Sequence, residues 1–312
     1  MLDSASKTFF HLIARSRTLK KLASRYGMRR TSSFARRFIA GETIDEAIDA
    51  ARAIEARGMT HTLDLLGESV TNLDEAAAAT GQYLSVIDAI IESGIERNIS
   101  LKLTQLGLDV DKAIAVDNLR KILERAEPAG FFVRVDMENS PYTDVTLEIF
   151  DALWQQGHRQ IGVVLQAALH RSEDDLRRVN ALGARVRLVK GAYKEPKTIA
   201  YQKKAEVDAA FARMTKTLLA EGHDPAIATH DPAMIDVTRQ FARERRLGPD
   251  RFEFQMLYGV RRDLQAMLVK EGYRMRVYVP FGREWFPYFM RRLGERPANV
   301  MFVVRSVLKD SG

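Results

Sequence analysis

Beyond residue 40 the spacing of apolar positions switches repeatedly between two periods. In "GETIDEAIDAARAIEARG", Ile44, Ala47, Ile48, Ala51 and Ile54 share one face of a 3.6-residue repeat, and Gly58 ends it, which predicts a helix. Short apolar runs of strand length then recur: "MTHTLDLLG" (59–67), "NISLKLTQLG" (98–107), "FFVRVDMENS" (131–140), "QIGVVLQA" (160–167), "RVRLVKGAY" (185–193), "AIATHD" (226–231), "FEFQMLYG" (252–259) and "YRMRVYVPFG" (273–282). Amphipathic helical stretches separate them, among them "LDEAAAATGQYLSVIDAIIESG" and "AYQKKAEVDAAFARMTKTLLAEG". Alternating strands and helices imply a parallel sheet with right-handed crossovers. Eight such units predict an α/β chain closed into a (β/α)₈ barrel rather than an open doubly wound sheet. No glycine-rich dinucleotide fingerprint follows the first strand, which argues the same way. The expected division is an N-terminal helical arm over 1–58 and a barrel over 59–312.

Catalytic groups of such barrels stand at the C-terminal strand ends. Those ends are polar here: Asp64 and Glu68; Lys102 and Gln105; Asp136 and Glu138; Gln166 and Arg171; Arg187 and Lys190; Thr229, His230 and Asp231; Gln255 and Tyr258; and Tyr278. A parallel sheet is covered on both faces, so Lys102, Arg134, Asp136, Arg187 and Lys190 need partners or a ligand. A metal site drawing on His61, Asp64, Asp136, His230 and Asp231 lacks an H-x-H or H-E-x-x-H spacing, and none is expected. A Schiff base on Lys102 or Lys190, with a pKa lowered beside other cations, is a second possibility.

The last segment, "FGREWFPYFMRRLGERPAN", adds a question. Read as a helix, it sets Trp285, Phe286, Phe289, Met290 and Leu293 in one stripe and Tyr288, Arg291, Arg292 and Glu295 on the other side. In a regular barrel the polar side would face water. Lying over the mouth instead, it would aim two neighbouring guanidiniums into the site, suited to a carboxylate and steadied by Glu295.

Composition narrows the setting. The 312 residues are 46% hydrophobic, enough for a large core, and contain no cysteine, which excludes thiolate chemistry and disulfides and fits a reducing cytosol. There is no apolar run of membrane-spanning length, and the start lacks the continuous apolar core of a secretory signal. Residues 1–40 hold ten Lys or Arg against one acid, Asp3, a net of +9 in a chain of net +7, so the remainder sums to −2. Basicity therefore belongs to the arm, either as an extension docked through Phe9, Phe10, Leu12 and Ile13 or as a contact for anionic lipid or nucleic acid.

The motifs "RVDMENS", "VVLQA", "RLVKGAY", "ATHD", "FEFQMLYG" and "YVPFG…WFPYFMRRLGERPAN" occur together and in order. Over about Thr60 to Met301 the chain resembles the proline dehydrogenases, FAD-dependent enzymes of proline catabolism, in their single-function bacterial form. The resemblance implies a distorted barrel with extra N-terminal helices and the last helix over its mouth. It implies oxidation of L-proline to Δ1-pyrroline-5-carboxylate by hydride transfer to FAD, with electrons passed on to a membrane quinone. It further implies that Arg291 and Arg292 bind the carboxylate, with Lys102 beside it and Glu295 in support. Asp136 would be the acidic member of the site, pairing with Lys102 or Arg292. Leu257 and Tyr278 would pack on the proline ring, Tyr278 also touching Arg292. Gln166, Arg187, Lys190, Gly191, Ala192, Thr229 and His230 match flavin-binding positions, with the Val135 backbone close to the ring system. Arg187 would be the cation that stabilises the reduced ring. A separate pyrroline-5-carboxylate dehydrogenase would complete the pathway, since the chain has no room for the second domain of the bifunctional relatives. The setting implied is cytoplasmic, peripheral at the inner membrane face through residues 1–40, with no nucleic-acid partner. Lys194 stands where those relatives carry an aromatic, and Ala168 and His170 replace bulkier or basic groups.

Overall fold

The computed structural model describes residues 34–294. A 3₁₀ turn, Phe34–Arg37, leads into helix α1, Ile44–Glu55. Thr43 caps α1 and Glu46 completes the capping box, with Oε2 accepting from the backbone of Glu42 at 2.7 Å and of Thr43 at 3.2 Å. The buried face of α1 is Ala47, Ile48, Ala51 and Ile54, four of the five positions on the predicted face.

Eight strands follow: β1 Thr60–Leu65, β2 Asn98–Leu101, β3 Phe132–Val135, β4 Ile161–Gln166, β5 Arg185–Val189, β6 His223–Ala228, β7 Glu253–Leu257 and β8 Arg274–Phe281. They pair in parallel, in sequence order, and close when β8 meets β1, with Asp64 opposite Pro280. Helices α2 Leu73–Ser93, α3 Lys112–Ala126, α4 Thr143–Gln155, α5 Ser172–Ala181, α6 Lys204–Glu221, α7 Pro232–Glu244, α8 Arg262–Lys270 and α9 Trp285–Gly294 follow the strands in turn. The architecture is the (β/α)₈ barrel that the eight apolar runs predict. Each strand is trimmed or shifted relative to its run, and two of the differences change the picture. The run at 98–107 is not one strand: β2 stops at Leu101, and Leu103–Leu106 form a 3₁₀ turn, so Lys102 stands at the junction. β6 begins at His223, before its apolar core.

The two ends of the barrel sequence are rearranged around the mouth. α1 packs across the outside of β1 and β8, where a regular barrel keeps its eighth helix. That leaves α9 to lie elsewhere. Its Trp285, Phe286, Tyr288, Phe289 and Met290 form a second apolar cluster with Ala35, Phe38, Ile39 and Leu66. Trp285 stands edge-on to Phe289 at 5.8 Å and donates through Nε1 to Glu42 at 3.0 Å. Ala40 donates its N–H to Pro280 at 2.9 Å, and Gly282 donates to Gly41 at 2.9 Å, which ties the entering chain to the end of β8. Gly259 at φ +72° lets the 3₁₀ turn cross, because a Cβ there would collide with the carbonyl of Arg37. Tyr288 departs from the sequence expectation. The helical wheel put it on the polar side, yet it is buried, since the 34–39 segment covers that flank of α9 as well.

Candidate active site

Strand periodicity of two builds the site: alternate residues point into the barrel, and at its C-terminal end the inward set is charged. Arg187 of β5 sits at the centre. Its Nη1 donates to Asp136 Oδ1 at 2.7 Å, its Nη2 to Ser100 Oγ at 3.1 Å and its Nε to Gln255 Oε1 at 2.6 Å. Its guanidinium carbon lies 5.2 Å from the centre of the Tyr278 ring. Tyr278 OH donates to the other carboxylate oxygen of Asp136 at 2.7 Å. Lys102 Nζ is 3.3 Å from Asp64 Oδ1 and 3.6 Å from Asp136 Oδ2. Five strands or strand ends thus meet around Asp136.

Asp136 was expected to pair with Lys102 or Arg292. Its closest partners are Arg187 and Tyr278, with Lys102 the looser contact. The phenol of Tyr278, expected to touch Arg292, bonds Asp136; the Arg292 guanidinium lies 5.2 Å over the ring of Tyr288. The register of β3 against β5 through β4 decides this, since it sets Arg187 level with the end of β3.

The electrostatics follow from burial. Burial alone would lower the pKa of Lys102, but the Asp64 and then the Asp136 carboxylates hold it above the ordinary lysine value. An ammonium so held is a poor nucleophile, and the Schiff-base reading of Lys102 loses its premise. Burial pushes the Asp64 carboxyl up, Lys102 pulling against it and Asp136 adding to it. Burial also pushes the Tyr278 phenol well above its usual range, reinforced by Asp136 and Asp64, so Tyr278 stays a donor.

A second group lies at the ends of β4, β5 and β6. Lys190, Ala228, Thr229, His230, Asp231, Pro232 and Arg261 line one cavity of about 400 Å³. His230 Nε2 accepts the backbone N–H of Leu257 at 2.9 Å, which fixes the tautomer with the proton on Nδ1. Lys190 Nζ sits between Asp208 at 2.5 Å and Asp231 at 2.6 Å, with Lys204 on the same carboxylates. The other Schiff-base candidate is therefore also ion-paired. Gly191 (φ +110°) and Ala192 are exposed in the loop after β5, and a Cβ at Gly191 would come within 3.4 Å of Gln166 Oε1. Gln166 is held by its Nε2 bond to the Glu138 carbonyl at 2.9 Å. Val135 is buried as the last residue of β3, and Leu257 ends β7 half-buried. His61, in contrast, faces α1, with Nε2 3.1 Å from Glu55, and does not join Asp64.

α9 crosses the mouth. Leu66, Gly67, Glu68 and Lys102 share a small cavity with Glu284, Pro287 and Tyr288. Arg291 and Arg292 lie in the last turns of α9, whereas Glu295 and residues 1–33 lie outside the described residues. Ser100, Glu253 and Arg276 belong to the buried polar network, yet none of them is among the expected site residues; Asp64, a polar strand end, joins the network through Lys102. Period-2 spacing would have found these three, as each stands two residues before a named inward residue: Ser100 before Lys102, Glu253 before Gln255 and Arg276 before Tyr278.

The departures Ala168 and His170 now have an account. Ala168 N–H donates to Lys190 at 2.8 Å and its carbonyl accepts from Tyr201 at 2.8 Å, while the His170 ring stands edge-on to Tyr201 at 4.4 Å. Both pin the 190–203 loop, and a larger side chain at 168 would crowd Gly191.

The family model described as Proline dehydrogenase matches residues 47–305. Proline dehydrogenase 2 of Bacillus subtilis (strain 168) is 40% identical over 304 residues, covering 97% of this chain and 99% of that protein. Proline dehydrogenase of Deinococcus radiodurans is 42% identical over 281 residues, covering 89% of this chain and 91% of the relative. The crystal structure of proline utilization A (PutA) from Bdellovibrio bacteriovorus, inactivated by N-propargylglycine, superimposes with a TM-score of 0.78 at 30% identity. That match covers 83% of this chain and 32% of the other, so this chain spans about a third of the length of that protein. On the family match and the near-full-length identity, the chain belongs to the proline dehydrogenase family.

Proposed function

We propose that the protein oxidises L-proline to Δ1-pyrroline-5-carboxylate with FAD as its cofactor, the first step of proline catabolism, and passes the electrons to a quinone. The observation that carries this reading is the array of buried Arg187 and Lys102 with half-buried Asp136 and Tyr278, beneath a helix bearing two arginines. A zwitterionic ring acid needs a cationic clamp for its carboxylate, an apolar wall and fixed charges around the reacting carbon. Arg291 and Arg292 would supply the clamp with Lys102 and Glu295, and Leu257 and Tyr278 the wall.

The chain fits the cofactor at the second group. Gly191 leaves open a cradle beside Gln166 that a Cβ would narrow, and the Nδ1 proton of His230 adds a donor. Gln166, Lys190, Gly191, Ala192, Thr229, His230 and the Val135 backbone would hold FAD, which when bound accepts the hydride from the ring carbon next to the proline nitrogen. Arg187 would place a permanent positive charge beside that exchange, and Asp136 would keep it oriented. Lys102, held protonated by Asp64 and Asp136, would serve as a cation and not as the base that takes the amine proton.

The test is a visible spectrum of purified protein, without and with L-proline, in the absence of oxygen. A yellow protein bleached by proline is expected. A colourless protein that borohydride traps with a carbonyl substrate, or one that binds nucleic acid with strong salt dependence, would overturn the reading. In Arg292→Met the flavin should remain while the KM for proline rises; an unchanged KM rejects the clamp.

Electron delivery to a membrane quinone would bring the basic residues 1–40 against anionic lipid, with cytoplasmic protein held peripherally and the product passed to a separate dehydrogenase. Among the described residues no helix is long and apolar enough to cross a membrane. Co-sedimentation with anionic liposomes, compared between the full chain and a chain lacking residues 1–40, tests the contact; equal binding sinks it.

A further inference from the structure

Three acceptors fix the guanidinium of Arg187, and two of them, Ser100 and Gln255, are neutral and buried. Gln255 Oε1 takes the Nε proton at 2.6 Å, and Gln255 Nε2 donates to Glu253 Oε1 at 2.5 Å. Glu253 also accepts from Arg276 Nε at 2.9 Å, and Arg276 Nη1 reaches the His61 carbonyl at 2.6 Å and Glu96 at 2.7 Å. Arg187, Gln255, Glu253 and Arg276 are all buried. The amide of Gln255 therefore has a forced orientation. A guanidinium only donates and an ionised carboxylate only accepts, so a flipped amide would lose both bonds. Against burial, which raises it, the Arg276 guanidinium holds the Glu253 carboxyl below its ordinary value and keeps it an acceptor.

We propose that Gln255 is a positioning residue for the oxidation: oriented by Glu253, it sets the plane of Arg187 from below with a neutral acceptor. This rests on the proposed role of Arg187. The neutrality matters. A carboxylate at 255 would compete with Asp136 for the same guanidinium and face Glu253 across a hydrogen-bond distance. An amide anchors Arg187 without offsetting its charge, which stays available to Asp136 and to the mouth of the barrel.

Gln255→Glu tests this, because a protonated glutamic acid reproduces the amide's pattern: its carbonyl accepts from Arg187 and its O–H donates to Glu253. Above the pKa of the new carboxyl, kcat should fall about tenfold or more while the KM for proline changes less than about threefold. The bound flavin's midpoint potential should drop by about 30 mV, the equivalent of a tenfold change in a two-electron equilibrium. As pH falls through that pKa, kcat should return toward the wild-type value at the same pH, a limb absent from the wild-type profile. Gln255→Met, which removes both bonds at similar volume, should lose kcat without any acid recovery. Wild-type kcat and potential in both variants would overturn the positioning role. So would a loss in Gln255→Glu that is equal at all pH values and tracks a lowered melting temperature. A wild type that proline fails to bleach would overturn the oxidation itself, and this role with it; a wild type that bleaches beside unchanged variants overturns the role alone.

Discussion

Asp136 receives a bond on each of its carboxylate oxygens, from Arg187 at 2.7 Å and from Tyr278 at 2.7 Å. It can therefore turn toward neither partner without losing the other, and the array has one geometry. Tyr278→Phe removes one arm and leaves the ring in place. A hydrogen bond to a charged group contributes roughly 1.5–3 kcal/mol, so kcat/KM for proline should fall about 10- to 100-fold. Steady-state kinetics at equal enzyme concentration will check it, and a change under threefold would mean that Arg187 and Lys102 hold Asp136 without the phenol. At this scale the sequence carries the cast but not the pairing. Asp136, Arg187, Lys102 and Tyr278 all announce themselves as polar strand ends. That Asp136 takes Arg187, 51 positions away, depends on strand register, which no local pattern encodes. Gln255 and Glu253 show the same limit: their spacing places both inward, but only the closed barrel brings them under Arg187.

Among the elements, β1 and α1 share a part-buried contact with a pH signature. His61 Nε2 lies 3.1 Å from Glu55, and His61 Nδ1 is buried without a hydrogen-bond partner. Burial lowers the His61 pKa, with Glu96 and Glu55 pulling it back only in part. The unfolded chain then binds a proton near pH 6.5 that the folded chain refuses. Stability is thus full above that pH and declines as pH falls toward the depressed folded value, by up to about 1.4 kcal/mol per pH unit. Urea unfolding at steps from pH 7.5 to 5 should show this slope, and His61→Gln should flatten it; equal slopes would assign the titration elsewhere. The helices themselves were readable because their apolar stripes are continuous, as in α1 and α9. What the stripe of α9 conceals is its partner. Tyr288 reads as polar-side on a wheel, and only the 34–39 turn, far away in sequence, makes it a core residue.

Across the whole molecule, the barrel axis is lined with ions where such barrels usually stack branched aliphatic side chains. Arg134, Arg187, Glu253 and Arg276 are all buried, and so are Ser100 and Gln255 among them. Arg276→Met would leave Glu253 charged and unpaired in the interior, at a cost of about 3–5 kcal/mol. Denaturant unfolding should register that loss, and Arg276→Met combined with Glu253→Met should recover much of it. If the double variant is no more stable than the single, the pair does not act as a unit. The order of the eight strands, by contrast, was plain from the sequence, because each apolar run is bounded by turn residues and followed by a helix.

The axial network has a consequence for how the barrel assembles. Its members come from β1, β2, β5, β7 and β8 and from the turn after β3, so no consecutive run of strands short of all eight satisfies it. A half-formed sheet would hold guanidiniums and carboxylates in a drying interior with their partners still absent. Partly closed intermediates are thereby penalised, and the chain is driven to join β8 to β1 in the same step that pairs its charges. The groups that the proposed chemistry would use are also the ones that make closure of the fold all-or-none.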